Sequence, residues 1–114
     1  MNKFIKSFGY AQKGILTVLK EEQNFRIEIF IGLLVILSSF VLGFSYIEKI
    51  ILLIAVILVL SSEMINTAIE DLCDKIEPKD DPVIGKIKDI MAGFVLVCSL
   101  GASIVGLIIF AHNI

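Results

Sequence analysis

An all-α membrane protein, with one amphipathic surface helix followed by three membrane-spanning helices, is the fold that this 114-residue sequence predicts. Three observations lead there. Hydrophobic residues make up 57% of the chain and its mean hydropathy is +0.94. Soluble domains hold about 45–50% apolar residues, and a chain this short has too little interior to bury the excess. The charged residues, 19% of the total, gather into particular segments and leave long apolar runs between them. One domain over residues 1–114 follows, with the surface helix at 1–24 and membrane helices at 25–47, 50–74 and 88–111.

The first 20 residues are amphipathic. On a helix, Lys3, Lys6, Lys13 and Lys20 share one sector, and Phe4, Phe8, Ala11, Ile15 and Leu19 lie opposite. Lysines on one face and rings on the other describe a helix lying in the membrane interface. A secretory signal peptide needs an unbroken apolar stretch after its basic start, and the recurring lysines deny it one.

Ile29 to Ile47 is a run of 19 residues without a charge, bounded by Arg26 and Glu28 before it and by Glu48 and Lys49 after it. The next span opens with 11 unbroken aliphatic residues, Ile50 to Leu60. Glu63 then interrupts it before the roughly 20 residues of a crossing are complete. The apolar pattern continues through Met64, Ile65, Ala68, Ile69 and Leu72, so the helix runs on. A polar segment from Asp71 to Asp89 contains Pro78 and Pro82, and Ile90 to Ala111 supplies 22 more uncharged residues. Nine of the ten Lys and Arg fall in the N-terminal region or in the connection before the last span; only Lys49 falls in the other connection. Three spans put both basic regions on one side, which the positive-inside rule makes cytoplasmic.

Several function classes drop out. A net charge of −2 excludes a nucleic-acid binder driven by bulk basic charge. Cys73 and Cys98 are neither a CxxC pair nor at metal-ligand spacing, and read as structural thiols. His112 stands alone and reads as an interfacial residue. Gly85-Lys86 lacks the upstream Gly of a P-loop, and Ile87 stands where its Ser or Thr would follow. Ser99, Ala102, Ser103 and Gly106 give small-xxx-small spacings that suit close helix packing.

The chemistry concentrates in Glu63-Met-Ile-Asn66-Thr-Ala-Ile-Glu70-Asp-Leu-Cys-Asp74. On a helix Glu63, Asn66, Glu70 and Asp74 fall within a sector of about 80°. A carboxylate at membrane depth costs at least a few kcal/mol, about 2.5–3.5 on insertion scales, and marks a functional position by default. Burial also raises its proton affinity, which suits proton abstraction. A line of acids repels itself unless cations answer it. Mg²⁺, a hard ion that shares oxygen ligands with phosphates, is the expected answer. Glu21, Glu22 and Glu28 lie where the surface helix meets the first span, and Lys86, Lys88 and Asp89 where the last span begins. Together they describe a polyphosphate–metal site at one membrane edge. The rival reading is a small proton-relay channel or helix-bundle accessory subunit, with Glu63 as the relay. A channel would spread polar residues through all spans, whereas here the acids and Lys88 cluster at one edge.

The segment Glu63-Met-Ile-Asn66-Thr-Ala-Ile-Glu70-x3-Asp74, with Lys88-Asp89 and Ala92-Gly93 beyond it, resembles the prokaryotic diacylglycerol kinase family, which includes the undecaprenol kinases. Gly9-Tyr10-x2-Lys13-Gly14 and Glu22-x2-Phe25-Arg26-x-Glu28 extend the resemblance upstream. It implies a homotrimer with active sites shared between subunits, transferring the γ-phosphate of ATP to a lipid hydroxyl with Mg²⁺. Diacylglycerol is the first expected acceptor and undecaprenol the alternative. By the same resemblance Glu63 matches the general base, and Glu22 and Glu70 the metal-binding carboxylates. Substrate or nucleotide contacts are implied at Lys3, Tyr10, Glu22, Glu28, Asn66, Glu70, Asp74, Lys88 and Asp89. Lys3 stands where some members carry Arg, and Asp81-Pro82 where many carry His-Pro.

Overall fold

The computed structural model describes residues 2–77 and 79–114; Met1, the first residue of the expected surface helix, and Pro78 of the polar segment lie outside the described residues. Every element is a helix: α1 (Asn2–Glu21), α2 (Gln23–Val41), α3 (Tyr46–Ile76) and α4 (Pro82–Asn113). Three of them, α2, α3 and α4, are long and apolar enough to cross a membrane. At 1.5 Å per residue α2 spans about 28 Å, while α3 and α4 reach about 46–48 Å. A hydrocarbon layer is about 30 Å thick. The long helices therefore overrun it by several turns, and on α3 that overrun carries the acids.

Each boundary has a local cause. α1 passes into α2 with almost no linker. Arg26 Nη1 donates to Leu19 O at 2.6 Å and Lys20 O at 3.1 Å. A guanidinium thus satisfies the last carbonyls of α1, which have no partner in their own helix. Val18 and Phe25 are buried at this elbow. The α2–α3 turn uses Gly43 at φ 71, a left-handed conformation that glycine adopts without strain. Ser45 then starts α3 with a reciprocal capping box: its hydroxyl accepts from Glu48 N, and Glu48 Oε1 accepts from Ser45 N. α4 starts at Pro82, ahead of residue 88, because Asp81 Oδ1 accepts from Val83 N and Ile84 N, and proline suits the first helical position.

Helix α3 lies between α2 and α4 and packs on both. A core of Phe44, Leu52 and Ile109, with Val35, Ile36, Val105 and Phe110 against it, fills the end near the α2–α3 turn. The Phe44 and Phe110 rings meet edge to face at 4.9 Å. Asn113 Nδ2 donates to Glu48 Oε2 at 2.9 Å and ties the end of α4 to the start of α3. Lys49 covers the Phe40 ring at 4.4 Å. Toward the other end, α2 approaches α3 so closely at Gly32 that a Cβ there would meet Val56 Cγ1 at 2.7 Å. Most large apolar side chains of the spans face outward, including Leu33, Leu37, Leu53, Val97 and Leu107. Water would penalise such a surface heavily; lipid does not.

Candidate active site

Glu63 projects from α3 and is only 5% exposed. It lies thirteen residues beyond Ile50, about 20 Å along the apolar part of α3, less than the roughly 30 Å thickness of a hydrocarbon layer. Its backbone carbonyl accepts from the buried Thr67 hydroxyl at 2.9 Å. Glu28, one helical turn before Gly32 on α2, brings its carboxyl group against that of Glu63. The close approach of Gly32 to Val56 sets this meeting, since Glu28 is i−4 from Gly32 and Glu63 is i+7 from Val56 on the facing helix. Glu28 Oε2 is buried and has no hydrogen-bond partner. Two carboxyl groups at contact repel unless a proton or a donor comes between them.

Glu22 occupies the N-cap position of α2, yet its carboxyl group makes no capping hydrogen bond. It is therefore free for another task. Burial pushes its pKa up, and the neighbouring Glu70 and Glu63 carboxylates push it further. Acids from the start of α2 and from α3 thus converge. No group of three or more His, Cys, Asp or Glu side chains among the described residues is arranged to hold a metal ion alone. Mg²⁺ does not require one, because it binds through one or two carboxylates together with substrate phosphates and water. Glu22 and Glu70, neighbouring carboxyl groups from two helices, fit that requirement.

Lys88 crosses from α4 to α3 and donates to Asp74 Oδ1 at 2.6 Å. The pair is well exposed, at 39% and 61%. A hollow of about 460 Å³ opens beside it, lined by Glu77, Lys79, Asp80, Ile84, Gly85 and Lys88. Asn66 is half-buried on the same stripe, and Asp89 is exposed at the start of α4. Lys3 and Tyr10 are exposed on α1. One subunit therefore gathers Glu22, Glu28, Glu63 and Glu70 at the α2–α3 seam and Asp74 with Lys88 at the α3–α4 seam. It brings Lys3, Tyr10 and Asp89 into no side-chain hydrogen bond or ion pair among the described residues. The sequence reading used Arg26 as a boundary marker; here it fixes the elbow that presents Glu22.

A second hollow of about 490 Å³ begins at Glu28 and runs between α2, α3 and α4 toward Phe110. Apart from Glu28 and two serines its walls are apolar.

Comparison with known proteins identifies the family. The sequence profile of the prokaryotic diacylglycerol kinase family matches residues 9–110. An undecaprenol kinase of Bacillus subtilis is 36% identical over 110 residues, covering 96% of this chain and 89% of the relative. A diacylglycerol kinase of Haemophilus influenzae is 30% identical over 112 residues, covering 96% and 95%. A diacylglycerol kinase of Synechocystis is 36% identical over 101 residues, covering 88% of this chain and 58% of the relative. A family match across nearly the whole chain, on a fold with three helices long and apolar enough to cross a membrane, makes this integral membrane protein a lipid kinase that belongs to the prokaryotic diacylglycerol kinase family.

Proposed function

We propose that the chain transfers the γ-phosphoryl group of ATP to the hydroxyl of a membrane lipid at the cytoplasmic face. Diacylglycerol, giving phosphatidic acid, is the acceptor expected from the sequence; undecaprenol is the second reading, favoured by the Bacillus subtilis relative. The observation that carries the proposal is Glu63, an acid 5% exposed at membrane depth that is paired with a second acid and lies at the end of the Asn66–Glu70–Asp74 stripe. Glu63 is the general base: it takes the hydroxyl proton as the oxygen attacks the γ-phosphorus and the bond to the β-bridging oxygen breaks, releasing ADP. No phosphoenzyme is needed.

Glu22 and Glu70 are the residues that would hold Mg²⁺. Mg²⁺ bound there would neutralise charge on the triphosphate. Lys88 presents a cation to the transferring group from the edge of the hollow beside it, and its pairing with Asp74 fixes the ammonium. Asn66, Asp89, Lys3 and Tyr10 are proposed contacts for nucleotide or lipid. Reactions of this type rest on positioning and electrostatics, which a small scaffold can supply. The basic face of α1 suits a membrane surface. A single subunit leaves Lys3 and Tyr10 apart from the acids, which supports a homotrimer whose sites join neighbouring chains. The deciding experiment is ATP consumption in mixed micelles with diacylglycerol, with undecaprenol, and without lipid. ATP turnover independent of any lipid, or none with either, would end the proposal; a proton-relay channel would give the latter.

A further inference from the structure

We infer that Arg26 is a positioning residue for Mg²⁺ binding: its guanidinium clasps the end of α1, holds Glu22 beside Glu70, and leaves the Glu22 carboxylate to the divalent cation. The inference rests on the lipid-kinase reading above, in which Glu22 and Glu70 hold the metal. It adds a residue that touches neither metal nor substrate. Glu22 is the single residue between α1 and α2, at φ −113 and ψ 108. One non-helical residue between two helices is a hinge, and a side chain carried on the hinge turns with it. Few contacts set the angle. Glu22 N donates to Val18 O at 2.9 Å, and Arg26 N donates to Glu22 O at 3.3 Å. Val18 and Phe25 are buried there. Arg26 Nη1 is the side-chain donor that reaches back across the hinge, to Leu19 O at 2.6 Å and Lys20 O at 3.1 Å. The described residues of α1 before Val18 are all exposed, so the angle is held at the elbow itself.

Where the guanidinium points is a second observation. Arg26 stands four residues after Glu22, a spacing at which a glutamate and a later cation pair along a helix. They form no ion pair here; among the described residues the ion pair is Lys88 with Asp74. Arg26 instead gives its N–H groups to carbonyls that lack partners in α1 and whose partial negative charge suits a cation. Among the described residues Glu22 is thus left without a cationic partner beside Glu70, and a divalent ion can bridge the two. The residue type matters as well. One planar nitrogen places two N–H bonds on two successive carbonyls, whereas lysine keeps the charge and loses the planar geometry.

The test compares full-length wild type, Arg26→Met and Arg26→Lys in mixed micelles. Lys75→Met, which removes an exposed cation from α3, is the control for lost charge. Mn²⁺ replaces Mg²⁺, and its binding is read without turnover by water proton relaxation, with a non-hydrolysable imido analogue of ATP at fixed concentration. Losing a residue that orients a metal ligand typically costs about 10–100-fold in affinity, so Arg26→Met should weaken Mn²⁺ binding at least about tenfold. Arg26→Lys should recover part of the loss, and Lys75→Met should match wild type. Amide hydrogen exchange should quicken at residues 19–25 in Arg26→Met and stay unchanged at residues 50–60. kcat at saturating Mg²⁺, ATP and lipid should be largely retained, a split that general unfolding would not give. The decisive arm is the Glu22→Ala background, where Glu70 and the phosphates still bind weakly. Because Arg26 acts through Glu22, adding Arg26→Met there should weaken Mn²⁺ binding no further. Additive losses in that double variant, or wild-type Mn²⁺ binding in Arg26→Met, overturn the inference. So does weakened binding with unchanged elbow amides, which would make Arg26 a direct phosphate contact. Should Arg26→Met fail to fold, Arg26→Lys in both backgrounds carries the same comparison. Wild type that binds Mn²⁺ as expected but phosphorylates no lipid would refute the kinase reading while leaving the clasp standing.

Discussion

Alanine at Gly32 should damage catalysis far more than it damages folding. The added Cβ would sit 2.7 Å from Val56 Cγ1, 3.4 Å from Cγ2 and 3.7 Å from Cβ. An ordinary carbon–carbon contact is about 3.5–4.0 Å, so the shortfall is roughly 1 Å. Valine in a helix holds essentially one χ1 rotamer, so Val56 cannot turn aside cheaply and α2 must move away from α3. On stability two effects oppose: alanine gains about 1 kcal/mol of helix propensity over glycine, and overpacking costs about 1–3 kcal/mol. The net cost is about 0–2 kcal/mol. On activity nothing offsets the displacement. Glu28 and Glu63 meet because α2 and α3 meet at this point, and a misplacement of about 1 Å can cost about 100-fold. We therefore expect kcat at saturating lipid and ATP to fall about 10- to 100-fold in Gly32→Ala, while thermal unfolding in the same micelles shifts modestly. Val56→Ala removes both methyl groups and should restore much of the activity when combined with Gly32→Ala. Gly101→Ala, where a Cβ meets nothing, should be silent. Wild-type turnover in Gly32→Ala, or a double variant as inactive as the single one, would refute the claim that this contact sets the acid pair.

Glu63→Gln should lower turnover by about 100-fold or more while keeping assembly and thermal stability, as measured by ADP release and crosslinking. Near-normal kcat would remove it from the base role. The Lys88–Asp74 pair is exposed enough that Lys88→Met should leave thermal stability close to wild type, so a large loss of rate would reflect charge presented to the phosphates. Glu22→Ala and Glu70→Ala should each raise the Mg²⁺ concentration for half-maximal rate. Because the Glu22 pKa is raised, protons compete for its carboxylate at a higher pH than for an ordinary glutamate. The Mg²⁺ midpoint should climb as pH falls through that raised value, and the climb should vanish in Glu22→Gln. Finally, co-refolded mixtures of Glu63→Gln and Lys88→Ala subunits should regain part of the activity that neither has alone. Mixed assemblies that crosslink but stay inactive would confine the site to one chain.

The spans were legible because a membrane imposes a length and excludes charge, and both constraints act on consecutive residues. The stripe from Glu63 to Asp74 was legible for a related reason: a single helix fixes the angular relation of its own residues. The start of α4 at Pro82 was also written locally, in an aspartate followed by proline, but residues 82–87 read as connection because charge was weighed above capping. The contact between Glu28 and Glu63 was not legible. It depends on which residues of α2 and α3 face each other, and that register comes from the absence of a side chain at Gly32 and the shape of Val56. The role of Arg26 at the α1–α2 elbow was hidden likewise, since its partners are backbone carbonyls, which every residue carries.

The interactions that fasten the three spans to one another are unevenly distributed. The Phe44–Phe110 ring pair, the Leu52–Ile109 core and the Asn113–Glu48 bond all lie at the end remote from the acids. Toward the acids the one side-chain hydrogen bond between spans, among the described residues, is the exposed Lys88–Asp74 pair, and the remaining hold is packing such as that of Gly32 on Val56. The molecule is thus held like a pair of tweezers, by a ring pair, a core and a hydrogen bond at the base, and by side-chain packing and one exposed ion pair toward the tips. Local opening should accordingly start at the acid end, where fewer polar ties must break.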